Sequence, residues 1–216
     1  DGHSTHFARY DLIILEETYG ELCIFSIEQP LNEFDLLILD RTVVALSQFL
    51  LRSLYIEETH NLESQQFFKR WLTGRLDTAD ITAFLQQQTR QTDGSFIVVV
   101  EKIERQKRDY DLTYYKMSSR TLFEKHVFTV FIYETKQELV YILQDTGNKN
   151  VKARLEQTLE KMELLRQSYA NEFHGVVAVG QCVQSCTLIP QSFETARDTL
   201  ELRLHDATLS YFYEDM

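Results

Sequence analysis

"HVFTVFIYETKQELVYILQD", residues 126–145, is the stretch on which the fold turns. Val127, Thr129, Phe131 and Tyr133 recur at every second position. Leu139, Tyr141 and Leu143 do so again after Glu134-Thr135-Lys136-Gln137. Alternation at period two marks a half-buried strand, so the stretch is expected to be a hairpin closed by a short polar turn.

Working outward, the turn "TDGS" (92–95) opens this half of the chain. Strand "FIVVVEKIE" (96–104) and helix "LTYYKMSSRTLFEKH" (112–126) precede the hairpin. After it come helix 151–173, ended near Gly175, and strand "GVVAVGQCV" (175–183). Helix "SFETARDTLELRLHD" (192–206) begins at Ser192 just past Pro190, and strand "LSYFYED" (209–215) closes the chain. The order strand, helix, strand, strand, helix, strand, helix, strand predicts an α+β fold. Its sheet is expected to be mixed, ferredoxin-like or nucleotide-cyclase-like, with helices packed on it. No internal repeat or low-complexity tract interrupts it.

Upstream, "YDLIILEET" and "ELCIFSIEQ" flank Tyr19-Gly20 and predict an N-terminal β-hairpin. Such a hairpin is marginal in water by itself, so residues 1–32 read as the tail of an upstream domain. From Glu33 the pattern turns helical, with Asn32 as N-cap and Glu33 and Asp35 suiting the helix dipole. Leu36, Leu39, Val43, Leu46 and Leu50 form a seam at spacings of three and four, and Leu37, Val44 and Leu51 form a second stripe. A homodimer through the first seam is expected; the alternative is that both stripes are intrachain core. The helix reads as continuous to Gly74, a suitable C′ residue, and a short helix 78–88 follows with Thr78 as cap. The expected division is therefore 1–32 hairpin, 33–90 helical linker and dimerisation region, and 91–216 sheet domain.

The 216 residues are 44% hydrophobic and 25% charged, with two prolines and seven glycines, enough for a sizeable core without long flexible linkers. The net charge of −11 repels phosphate backbones and anionic membranes, so contact with DNA would need another segment. Three cysteines, Cys23, Cys182 and Cys186, with no secretory signal, point to a reducing, cytoplasmic compartment. The most apolar window, residues 34–56, carries Asp35, Asp40, Arg41 and Arg52, which rules it out as a membrane span. Because it starts at Asp1, the chain is expected to be a fragment or a processed product.

The common phosphate-cradling loops and the G-x-S-x-G elbow are missing, and the histidines at 3, 6, 60, 126, 174 and 205 show no H-E-x-x-H spacing. His126, His174 and His205 read as helix-end residues that satisfy terminal carbonyls. The acidic runs "LEETYGE" and "YIEET" lack the shape of a cation loop. Tyr110, Tyr114, Tyr115, Phe123, Phe128, Phe131 and Tyr133 have core spacings. Lys102, Arg105, Lys107 and Arg108 read as a solvated strand exit. No catalytic, cofactor-binding or metal-binding residue is assigned.

The closing "VAVGQCVQS…SFETARDTLELRLHDATLSYFYEDM" resembles the PucR/CdaR family of bacterial transcriptional regulators. Gly180 after an apolar strand, then "SFETARDTL", is similar to that family's Ser-(aromatic)-x-x-Ala-x-x-(Ala/Thr)-Leu helix, and "YFYED" to its terminal strand. "LLILDRTVVALSQFLLRSLYIEETHNLESQQFFKRWLTG" resembles the helices linking sensor to middle domain, and the N-terminal hairpin the last strands of a purine-catabolism-type sensor. The resemblance implies a sensor remnant, a GGDEF-like regulatory domain at 91–216, and a small-molecule effector, either a purine breakdown product or a sugar acid. It also implies a DNA-binding helix-turn-helix beyond Met216. Diguanylate cyclases share this layout and carry Gly-Gly-Asp/Glu-Glu-Phe on the hairpin. There, glycines let the nucleotide approach and a carboxylate holds the metal. Here the tip is Glu134-Thr135-Lys136-Gln137-Glu138-Leu139, and strand 96–104 leaves through Glu101-Lys102-Ile103-Glu104-Arg105, so a turn without chemistry is expected. The rival expectations are a divergent nucleotide-binding or cyclase-type enzyme domain and a purely structural partner module.

Overall fold

The computed structural model describes the chain apart from residues 1–4, 16, 28, 61, 90, 107–110, 148–149, 204–209 and 213–216. The fold is α+β and divides into two compact units, Asp1–His60 and Asn61–Met216.

In the first unit, β1 (Thr5–Ile14) and β2 (Glu17–Ile27) pair antiparallel, and α1 (Glu33–His60) packs on them, chiefly on β1. The chain reverses at Leu15, whose φ is 53°, rather than at Tyr19-Gly20. Gly20 lies within β2 opposite Leu12, beside a register slip between Leu12 and Ile13. A glycine inside a strand marks such an irregularity as readily as a turn, which is why the sequence misplaces the bend. Asn32 caps α1 as expected. Its Oδ1 accepts from the Asp35 N–H at 3.0 Å, and Asp35 Oδ2 accepts from the Asn32 N–H at 2.9 Å.

The second unit runs α2 (Leu62–Leu72), α3 (Thr78–Gln88), β3 (Phe96–Arg105), α4 (Thr113–Lys125), β4 (Phe128–Glu134), β5 (Glu138–Asp145), α5 (Val151–Ser168), β6 (Phe173–Val179), α6 (Ile189–Arg203) and β7 (Ser210–Phe212). The sheet order is β4-β5-β3-β6-β7, antiparallel except for the β6–β7 pair. The β3-α4-β4-β5-α5-β6 part is the ferredoxin-like split βαβ arrangement. Gly74, at φ 66°, ends α2 as a C′ residue: Arg75 N–H bonds the Arg70 carbonyl and Gly74 N–H the Trp71 carbonyl. At α3 the cap position falls on Asp77, making Thr78 the first helical residue.

Both sheet faces are covered. Ile97, Val99 and Ile103 of β3 pack with Tyr115 and Phe123 of α4 and Leu155, Leu159 and Met162 of α5. Phe96, Val98 and Val100 pack with Phe68, Trp71 and Leu72 of α2, Leu85 of α3, and Ala196 and Leu200 of α6. This corrects the half-buried reading of 126–145. Val127 stands outside β4, and Phe131 lies in the second core, whereas Leu139, Tyr141 and Leu143 lie in the first. A strand sandwiched between helices needs apolar groups on both sides, and period two then reports only one of them.

Other boundaries move for local reasons. The turn after α5 closes through Phe173 N–H to the Tyr169 carbonyl, so the helix stops at Ser168 and Gly175 becomes a β6 residue. α6 begins at Ile189 after a 3-10 turn at Cys186–Leu188 and places Ser192 inside the helix, fully buried. There its hydroxyl accepts from the Val98 N–H at 2.9 Å, replacing a strand partner where β6 ends. The expected strand 209–215 is described only over Ser210–Phe212.

Candidate functional site

The hairpin tip is where nucleotide chemistry would sit in a cyclase-like layout. It is closed by Thr135, whose hydroxyl accepts from the Gln137 and Glu138 N–H groups while its own N–H bonds the Glu138 carbonyl at 2.8 Å. No tip residue has a positive φ, so this turn has no conformational need for glycine. Register sends its two carboxylates to opposite faces. Glu134, paired with Leu139, points to the α4 side, where Lys116 lies at 2.9 Å and Arg105 at 3.0 Å. Glu138 points to the other side, with Arg197 of α6 at 4.0 Å. One ion cannot be held by both carboxylates, and two cations already neutralise Glu134. Among the described residues no group of three His, Cys, Asp or Glu side chains could hold a metal.

β4 is an edge strand, and three of its backbone groups are bonded by side chains. Arg120 donates to the Val130 carbonyl at 2.8 Å. Gln65 of α2 donates to the Ile132 carbonyl at 3.0 Å and accepts from the Glu134 N–H at 2.8 Å. The Gln65 amide thus acts as one residue of a missing strand, blunting the edge and joining α2 to the tip. A lone glutamine in a helical pattern gives no sequence signal of this role.

A second cluster lies on β3. Glu101 is fully buried; Tyr115 donates to its Oε1 at 2.6 Å and Tyr141 to its Oε2 at 2.9 Å. Arg166 of α5, 5% exposed, brings Nε to 3.5 Å from Glu101 Oε1 and donates Nη1 to the Gly175 carbonyl. Its Nη2 sits 2.9 Å from Glu163 Oε2 without hydrogen-bond alignment. Burial pushes the Glu101 pKa up, against the pull of Arg166 and the two tyrosines, and burial beside Glu101 drives both tyrosines well above their usual range. Gly175 makes room for this: a Cβ there would meet Glu101 Oε1 at 3.0 Å and Arg166 Cδ at 3.1 Å. Beside the cluster opens a cleft of about 460 Å³, lined by Glu163, Arg166 and Gln167 of α5 and Phe173, His174 and Gly175 of β6. The one sequence signal was Glu101 itself, a carboxylate at the end of an otherwise apolar run.

Of the remaining candidates, Tyr115 belongs to the Glu101 cluster and His174 to the wall of its cleft. His126 caps α4, its carbonyl accepting from Arg154 at 2.9 Å. His174 is a strand residue, not a helix end, and its Nε2 is 2.7 Å from the Gln106 amide nitrogen. Tyr115, Phe123, Phe128 and Phe131 are core, as their spacing predicts. Tyr114 and Tyr133 are exposed and half-buried respectively. Lys107, Arg108, Tyr110 and His205 lie outside the described residues. Cys23, Cys182 and Cys186 are not joined in disulfides, and among the described residues no helix is long and apolar enough to cross a membrane.

Comparison with known proteins finds no family model and no curated protein that matches this chain.

Proposed function

We propose that the chain is the regulatory and dimerising part of a cytoplasmic, PucR/CdaR-like transcriptional regulator, relaying effector binding to DNA-reading helices outside these residues. The observation that carries the reading is the treatment of Glu134. Arg105 and Lys116 neutralise it, while Gln65 clips its strand to the linker helix, so the tip is built as a mechanical joint. The cleft beside Arg166 has the size of a small-molecule pocket and serves as the effector site in this reading. Dimerisation runs through α1. The parent regulator would control purine breakdown or sugar-acid use, as the resemblance implies.

The alternative is a divergent nucleotide-binding or cyclase-type enzyme domain, favoured only by the sheet order that such domains share with this one. Incubation with GTP and magnesium or manganese separates the two. The regulatory reading expects no turnover; turnover abolished in Glu134→Ala would replace it with the enzymatic one. A version extended past Met216 is expected to bind promoter DNA, whereas residues 1–216 alone are not.

A further inference from the structure

At 3.6 residues per turn, Phe34, Arg41, Ala45 and Arg52 line up along one side of α1, flanked by Leu37, Ile38, Gln48 and Phe49. The opposite side carries Leu39, Val43 and Leu50. Leu39 is 3% exposed and the other two are half-buried, because this side is occupied by the chain's own hairpin. Most of the seam read from the sequence is therefore already used within the chain. The outward side should then be polar, as on an ordinary amphipathic helix. Instead Phe34 is 68% and Phe49 66% exposed, with Leu37 and Ile38 about half exposed. A shallow groove runs along it between Leu37, Ile38 and Arg41 on one turn and Ala45 and Leu46 on the next.

We propose that this stripe is the contact between two copies of the chain, with α1 packed antiparallel on the partner's α1; the inference rests on the dimeric part of the reading above. The charges select the occupant. A parallel pair would stack Arg41 on the partner's Arg41 and Arg52 on the partner's Arg52, which repel. An antiparallel pair sets Glu33 against the partner's Arg52, and twofold symmetry repeats the contact at the other end. The same register separates the two Arg52 side chains and opposes the two helix dipoles. It leaves the partner's Arg41 three positions and the partner's Asp40 four positions along the axis from Arg41, so that a carboxylate flanks this arginine pair. Ala45 and Thr42 near the middle let the axes approach to the roughly 8–10 Å of packed helices. Any other protein would need carboxylates at matching positions; a second copy already carries them.

The test is the oligomeric state of the full chain by sedimentation and light scattering. Wild type is expected to be a dimer, Phe49→Glu a folded monomer, and Arg52→Glu a dimer weakened about tenfold. Combining Glu33→Arg with Arg52→Glu restores the contact only between two copies, so recovery of the wild-type affinity is expected. A monomeric wild type, a dimer indifferent to Phe49→Glu, or a double variant no tighter than Arg52→Glu alone would each overturn the proposal. The first is the result expected if an acidic protein of another kind covers the stripe. DNA binding by an extended chain reads the regulatory proposal separately, so one can fail without the other. All three substituted side chains are on the surface, and circular dichroism confirms that each variant folds.

Discussion

Tyr115 donates a hydrogen bond of 2.6 Å to Glu101 in the middle of the sheet, with Tyr141 donating to the same carboxyl from the neighbouring strand. Two phenols and one guanidinium are all that replace the water this group would have outside. Burial outweighs them, so the native pKa of Glu101 is raised. The native state then keeps the Glu101 proton at pH values where the unfolded chain has released it. Its contribution to stability is full below the ordinary carboxylate range and is lost as pH rises through the raised native pKa. Unfolding free energies of wild type and Glu101→Gln, measured across pH, should show the wild-type advantage shrinking as pH increases. A flat difference, or one that grows, would contradict this. Glu101→Ala, which leaves Arg166 buried with Glu163 as its remaining counter-charge, should cost about 3–5 kcal/mol.

Gly180 and Gly20 make a contrasting pair. A Cβ on Gly180 would run into the Ser192 carbonyl, whose carbon would be 2.9 Å away. α6 is held there by the Ser192–Val98 hydrogen bond and cannot step back cheaply. Gly180→Ala should therefore cost about 3 kcal/mol, at the upper end of overpacking effects. Gly20 has open space around it, so Gly20→Ala should be neutral or stabilise β2 by about 0.5 kcal/mol. Chemical denaturation of both variants checks the contrast.

These cases show where the sequence was readable. The helix cap at Asn32–Asp35, the glycine stop at Gly74 and the order of elements from β3 to β7 are local or periodic, and each was visible in the residue pattern. Which stripe of α1 faces outward was not, because both stripes are apolar and only the partner in space distinguishes Leu39 from Leu37. The opposite facing of Glu134 and Glu138 depends on where the turn closes, and a one-residue difference in register reverses it. The buried pairing of Glu101 with Arg166 joins residues far apart in the chain, for which a single sequence has no signal.

Gln65 should behave as a clip on the edge of the sheet. Gln65→Ala removes both its hydrogen bonds and bares the Ile132 carbonyl and the Glu134 N–H, at a cost of about 1–2 kcal/mol. Hydrogen exchange should rise at the Glu134 amide while the amides of the central strand β3 keep their protection. Unchanged exchange at Glu134 would mean that α2 does not hold the tip.

At Val127, the β-branched residue among the three described non-glycines with positive φ, the sequence works against its own fold. It follows the cap of α4 with φ of 65°, and its N–H bonds the Glu124 carbonyl at 3.0 Å. This is the C′ place that glycine or asparagine ordinarily fills. A β-branched side chain there is strained, and the left-handed region costs an L-residue about 1–2 kcal/mol. Burial does not compensate, since Val127 is 47% exposed. Val127→Asn keeps the backbone path and relieves the strain, so it should raise stability by about 1 kcal/mol and the melting temperature by roughly 2–4 °C for a chain of this size. Val127→Gly should gain less, because the freed backbone also favours the unfolded chain. Calorimetry on both variants ranks them, and a destabilised Val127→Asn would show that the valine side chain makes a contact worth more than the strain it imposes.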